Sequence, residues 1–280
     1  MRRLAGRVAV VTGAASGIGR ALALALAERG CALALVDVDA AGLAALEREL
    51  AAASAGAGRE VRVSTHVADV ADRARMAALP GEVVAAHGAV HVLVNNAGVA
   101  TLDLLEEHPL EDFDWLFGIN FFGVLHGCAF FLPHLRAQDE AHIVNVSSMF
   151  GFVGLPRNAA YCASKAAVRS LSESLQAELA GSNVCVTSVH PGGVKTSIIR
   201  SARGRDEGVR AEVQGFFDRR ARAPEVAAQR IVRAIERGSW RIRIGAESVL
   251  ADWAKRIAPV AAQRAIAARF RRAGGAGPAA

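Results

Sequence analysis

Tyrosine is almost missing from this chain: 280 residues contain one, Tyr161, and all aromatic residues together make up 5%. Lysine is nearly as scarce. Of 33 basic residues only Lys165, Lys195 and Lys255 are lysine, so positive charge is written as arginine. The four cysteines, at 31, 128, 162 and 185, show no metal-ligand spacing. That argues against a zinc site or a disulfide framework, and they read as reduced, buried thiols of a cytoplasmic protein. We read no run of about 18 apolar residues free of charge, so a transmembrane helix is not expected. Arg2-Arg3 is not followed by a cleavable apolar segment and the first strand starts within seven residues, so secretion is not expected either.

Scarcity makes Tyr161 informative, because a lysine stands four residues after it and a serine, Ser148, thirteen residues before it. On a helix, positions i and i+4 share a face. The Lys165 ammonium can then sit beside the phenol and lower its pKa from about 10, giving a proton donor usable near neutral pH. Taken alone, Tyr161 could equally pack at a helix start with Lys165 as a solvated charge. Ser147 competes with Ser148, but side chains alternate along a strand and the spacing selects Ser148.

Near the start, the apolar run Val8 to Val11 reads as a buried strand, followed by Thr12-Gly13-Ala14-Ala15-Ser16-Gly17-Ile18-Gly19 and a helical stretch. Glycines at 13, 17 and 19 allow close backbone approach to a pyrophosphate, which the helix N-terminus favours as an anion. A second strand, Ala32 to Val36, ends at Asp37, eighteen residues beyond Gly19. A carboxylate there can accept from both adenosine ribose hydroxyls and would repel a 2′-phosphate. With no basic residue at Ser16 or Val38, NAD is expected rather than NADP. Asp37 is also a common turn residue.

With these residues in place, the chain resembles the short-chain dehydrogenase/reductase family from about Val8 to Gly245. Several motifs carry the resemblance, in order. They are the Thr12 to Gly19 turn, Asp69-Val70 after the third strand, Asn95-Asn96-Ala97-Gly98 ending the fourth strand, and Asn120 in the next helix. Ser148 at the end of the fifth strand follows, then Tyr161 with Lys165, and Pro191-Gly192-Gly193-Val194-Lys195-Thr196. The resemblance implies a catalytic set of Ser148, Tyr161, Lys165 and Asn120, with Asn120 holding a water that links Lys165 to solvent. It implies a cofactor site formed by Gly13, Ser16, Gly17, Ile18, Gly19, Asp37, Asp69, Val70, Asn96, Val194 and Thr196, with Tyr161 and Lys165 completing it. Thr196 would bond the nicotinamide carboxamide. The implied reaction is hydride transfer between NAD(H) and a secondary alcohol or ketone. NADP-dependent carbonyl reduction, or a non-catalytic cofactor-sensing role on the same fold, is the alternative. The implied partners are a small-molecule substrate and further copies of the chain, as a homodimer or homotetramer formed through the helices holding Asn120 and Tyr161. No nucleic-acid recognition motif accompanies the basic charge.

Alternating apolar and alanine-rich stretches predict an α/β fold: one doubly wound Rossmann domain, residues 1–248, with a parallel sheet of roughly seven strands and helices on both faces. Helices are expected at Gly19 to Arg29, Ala40 to Ala53, Ala71 to Ala86, Phe113 to Arg136, Tyr161 to Ala180 and Pro224 to Arg237. The stretch Ala51 to Gly58 is expected to be a surface loop. Residues 197–223, rich in charge and glycine and containing Phe216-Phe217, are expected to form a mobile lid over an apolar substrate of steroid, terpene or fatty type. Met149, Phe150, Phe152 and Leu155 are candidates for its pocket. From Arg241 onward eight basic residues meet two acidic ones, which accounts for the whole net charge of +6. Residues 249–273 are expected to form a basic amphipathic extension, broken at Pro259, that packs one face on the domain with a solvated basic side, makes a weak membrane-surface contact or contacts a neighbouring subunit. The tail 274–280 is expected to be disordered.

Overall fold

The computed structural model describes residues 1, 3–56 and 61–272. The end of the expected loop at 57–58 and the tail 274–280 lie outside the described residues, as do the side chains of Phe216 and Phe217.

Seven strands, β1 (Val8–Thr12), β2 (Ala32–Asp37), β3 (Val63–Val67), β4 (Val92–Asn95), β5 (Ala141–Val146), β6 (Val184–Pro191) and β7 (Arg241–Ile244), form one sheet in the order β3-β2-β1-β4-β5-β6-β7. Every pairing is parallel. Parallel neighbours require crossovers, and helices supply them on both faces. The alternation of side chains sorts β1 between two cores. Ala9 and Val11 pack with α1 (Gly17–Glu28), α2 (Ala40–Gly56) and α8 (Pro224–Arg237), while Val8 and Val10 pack with α3 (Arg73–His87), α5 (Gly123–Arg136) and α6 (Ala159–Glu178). The strand order reverses between β1 and β4, and that switch point opens a crevice at the carboxyl ends of the strands.

Three expectations are corrected. The stretch from Ala51 does not leave the helix: α2 runs to Gly56, because alanine is the strongest helix former and five of these six residues are alanine or serine. The helix holding Asn120 is not uniform. It runs as α4 (Leu110–Phe117), a single π-turn over Gly118–Phe122, and then α5. Together, residues Leu110–Arg136 are long and apolar enough to cross a membrane by length and composition, contrary to the sequence reading. In this fold the inner face of that helix is taken up by the sheet, with Asn120, Val124, Cys128, Phe131 and Leu135 buried.

Residues 197–223 contain a further helix, α7 (Glu207–Arg220). After β7 come α9 (Ala246–Ile257) and α10 (Pro259–Arg272), so the extension breaks at Pro259 as expected. Proline is well placed at a helix start, where its missing N–H has no intrahelical partner to lose.

Candidate active site

At the switch point the end of β1 is tied to the end of β4 by one threonine. Thr12 Oγ1 accepts from the backbone N–H groups of Asn96 (2.9 Å) and Ala97 (3.1 Å) and donates to Val94 O (3.3 Å). Asn96 Nδ2 in turn donates to Thr12 O (2.9 Å) and Gly13 O (3.2 Å). This knot sets the glycine turn in place. Gly13 and Gly17 have φ of 64° and 53°, conformations that disfavour a side chain. At Gly19 a Cβ would overlap the Gly13 carbonyl and approach Asn96 Nδ2 to 2.6 Å. Ser16 caps α1 without a side-chain hydrogen bond, and Ile18 packs on the core beneath. Asp37 closes the far side: Oδ2 accepts from Ala15 N (2.9 Å) and Oδ1 from Asp39 N (3.1 Å). Asp37 O also accepts from Ala68 N (3.0 Å), which brings Asp69 and Val70 to the same end of the sheet. Asp69 is exposed and Val70 is buried over Gly123.

Ser148 lies just past β5 and caps a short 3₁₀ turn, Met149–Gly151, its Oγ accepting from Phe150 N (3.2 Å). Tyr161 and Lys165 occupy the first turns of α6, and the Ser148 hydroxyl lies near enough to the Tyr161 phenol to favour its ionised form. Ser147 points elsewhere, donating to Lys165 O at 2.7 Å.

The expected lowering of the phenol pKa is overturned for the chain itself. Burial pushes Tyr161 up to about 12, with the Ser148 hydrogen bond pulling the other way. Burial also pushes Lys165 down, to about 8. The ammonium is 5.8 Å from the phenol ring centroid and donates to Val146 O (3.0 Å), so desolvation outweighs its effect on the ring. Burial raises the Cys162 thiol as well, leaving it unreactive beside the tyrosine.

Asn120 is buried in the π-turn. Its side chain is committed to protein groups: Oδ1 accepts from Val99 N (2.8 Å), and Nδ2 donates to Val99 O (3.0 Å) and Ser164 Oγ (3.2 Å). The amide thus pins the segment after β4 to α6. Gly98 is where Asn120 and Lys165 meet, since a Cβ there would lie 3.2 Å from Asn120 Oδ1 and 3.3 Å from Lys165 Nζ. A π-turn at this point is in keeping with the clustering of such turns at functional sites.

Val194 and Thr196 follow β6. Thr196 lies against the glycine turn, for a Cβ on Gly17 would come within 2.9 Å of its Cγ2. The segment is braced by residues that sequence reasoning missed. Arg222 N donates to Gly193 O (2.9 Å), Lys195 N donates to Arg222 O (2.8 Å), and Glu247 accepts from Gly193 N (3.1 Å) and from the Arg222 guanidinium. His190 Nδ1 bonds Ser148 O (3.1 Å), its ring stacks on Phe152 at 4.2 Å, and its carbonyl accepts from Ser248 (2.7 Å). Phe152 is therefore taken up by His190, while Phe150 lies edge-on to Tyr161 at 6.3 Å. Above the phenol, Ile198, Ile199, Ala202 and Val213 pack with Ala100 and Leu102 as an apolar roof. Among the described residues no cluster suits a metal ion.

The arrangement brings two hydroxyls together beside a buried lysine, at the mouth of a crevice lined by a glycine turn. Two hydroxyls so placed can hold one carbonyl oxygen and exchange a proton with it. Comparison with known proteins agrees. A family model described as short chain dehydrogenase matches residues 7–207. The chain is 42% identical over 275 residues to a Mycobacterium tuberculosis protein that carries the provisional name oxidoreductase SadH, covering 96% of each. The structure is similar to a short chain dehydrogenase/reductase from Burkholderia phymatum in complex with NAD (TM-score 0.78, 31% identity, all of both chains). It is also similar to an alcohol dehydrogenase from Thermococcus sibiricus complexed with 5-hydroxy-NADP (TM-score 0.71, 27% identity, 85% of this chain and 95% of the other). Motifs, topology and these likenesses agree, and the chain belongs to the short-chain dehydrogenase/reductase family of oxidoreductases.

Proposed function

We propose that the protein is an NAD-dependent alcohol dehydrogenase or carbonyl reductase acting on an apolar secondary alcohol or ketone, with Tyr161 as general acid and base. The closeness of Ser148 and Lys165 to the Tyr161 phenol carries this reading. The cofactor fits the residues present. Gly13, Gly17 and Gly19 leave backbone where any side chain would collide, and α1 begins with a serine that makes no side-chain cap. Asp37 stands where a ribose would meet a carboxylate, and its neighbour Val38 is 64% exposed with no charge to offer a phosphate. When bound, the nicotinamide supplies or accepts the hydride.

The chain's own groups handle the oxygen. Tyr161 gives its proton to the carbonyl oxygen during reduction and takes it back during oxidation. Ser148 donates to the same oxygen and stabilises the charge that develops on it. Lys165 is within reach of the site as a buried cation whose charge is titratable near pH 8. Residues 197–223 act as the lid, with the apolar roof over Tyr161 selecting an apolar substrate. The outer face of the helix Leu110–Arg136 exposes Phe122 (47%) and supports assembly with further copies through α4, α5 and α6.

The test is a titration of NAD and NADP followed by turnover on a panel of secondary alcohols. Tighter binding of NAD, with Asp37→Ser erasing that preference, and turnover on bulky apolar alcohols are the expected results. NADP binding more tightly to the unaltered protein would overturn the assignment of Asp37.

A further inference from the structure

The helix α9 is inverted. Its inward face is polar: Ser248 and Asp252 are its buried residues, Ser248 donating to His190 O and Asp252 accepting from Arg243 (2.9 Å) and Arg256 (2.8 Å). Its outward face is apolar. Leu250 (70% exposed), Trp253 (51%) and Ile257 (76%) lie on one stripe with Val249, and Val260 at the start of α10 (63%) extends it. Helices on a globular surface ordinarily place these faces the other way round, and the sequence reading left a solvated basic side, a membrane surface and a neighbouring subunit open for this segment.

From Trp253 to Arg272 the chain carries six basic residues and no acidic one, and none of the residues of α10 is buried. The basic residues follow the apolar stripe directly along the chain, Lys255 and Arg256 within α9 and the other four on α10, which packs on α9. A second copy of the chain fits poorly. A two-fold contact repeats the same patch on both sides, bringing two strongly basic segments within a Debye length of about 10 Å of each other.

We infer that α9 and α10 form a docking surface for an anionic lipid membrane, with Leu250, Trp253, Ile257 and Val260 entering the interface and the α10 arginines pairing with lipid phosphates. Exposed tryptophan and aliphatic residues flanked by arginine match the chemistry of that interface. Both helices touch segments that adjoin the site in sequence. Gln263 of α10 donates to Gly154 O (3.0 Å), six residues beyond Ser148, and Glu247 at the start of α9 braces the base of the lid. A lipid-seated α9 thus places the lid near the membrane plane.

Flotation of the full chain with vesicles of neutral phosphatidylcholine, with and without one-third phosphatidylglycerol, tests this. Binding should require the anionic lipid, weaken by at least tenfold between low and high salt, and blue-shift the emission of the protein but not of Trp253→Phe. Leu250→Glu/Ile257→Glu should lose at least tenfold in partitioning with an unchanged melting temperature, since both side chains are exposed. Arg269→Glu/Arg271→Glu should lose binding without touching the stripe. Equal binding to neutral vesicles, or retention by both double variants, overturns the inference. So does a fall in solution mass by light scattering for Leu250→Glu/Ile257→Glu without any vesicle binding by the parent, which would assign the stripe to a second copy.

Discussion

Glu247 and Arg222 form an ion pair at the point where residues 197–223 rejoin the domain. The same carboxylate holds Gly193 N on the other side of that segment, so one residue fastens both of its ends. Gly192 and Gly245 make room for it, since a Cβ on either would overlap the carboxylate.

Removing this brace should loosen Val194 and Thr196 before it affects proton transfer. A hydrogen bond to a charged group contributes about 1.5–3 kcal/mol, and the partial exposure of this pair reduces that to about 1 kcal/mol. Glu247→Ala is expected to raise KM for NAD about fivefold with a smaller change in kcat. Steady-state kinetics with the cofactor varied decide it; an unchanged KM with a collapsed kcat would place Glu247 in the chemistry instead.

Tyr161→Phe keeps the ring and removes the proton. Because positioned acid–base groups contribute ~10²–10⁴ in rate, kcat should fall by ~10²-fold or more while NAD affinity, read by fluorescence, stays near that of the parent. Near-full turnover in this variant would remove the phenol from the mechanism.

The pH dependence of stability carries the mark of Lys165. Burial lowers its folded pKa from 10.5 to about 8, so between those values the unfolded chain binds the proton and the folded chain does not. Stability therefore gains from this group as pH rises from about 8 to about 10.5, the burial cost of the ammonium being present below that window. Tyr161 acts in the opposite sense, losing stability as pH rises from 10 towards about 12. Urea unfolding of the parent and of Lys165→Met across pH 7–10 should show a difference that grows with pH in the parent's favour; a flat difference would mean that the lysine is solvated.

Gly19→Ala is expected to destabilise the protein by about 1–3 kcal/mol, the usual cost of overpacking, because the new methyl group would overlap the Gly13 carbonyl and crowd Asn96. Binding of NAD should weaken in the same variant. Thermal unfolding with and without NAD measures both effects, and a stable variant that still binds would show that the turn relaxes freely.

The sequence by itself determined the family and the parallel doubly wound sheet, and it singled out Ser148, Tyr161 and Lys165 as candidates. These follow from local spacing: strand, glycine turn and helix in succession, and a tyrosine and lysine one helical turn apart. Thr12 could have been singled out as a hydroxyl at the end of a strand. Glu247 could not, because it reaches Gly193 across 54 residues and only the folding of α9 onto the segment after β6 brings them together. Tertiary structure alone decided the pKa directions, since burial of Tyr161 and Lys165 depends on everything packed around them and outweighs the neighbouring charge that spacing suggested. It also decided which way α9 faces. The periodicity of α9 shows two faces, but whether the polar one turns inward depended on Arg241 and Arg243 of β7 lying within reach of Asp252, a long-range pairing that no local pattern records.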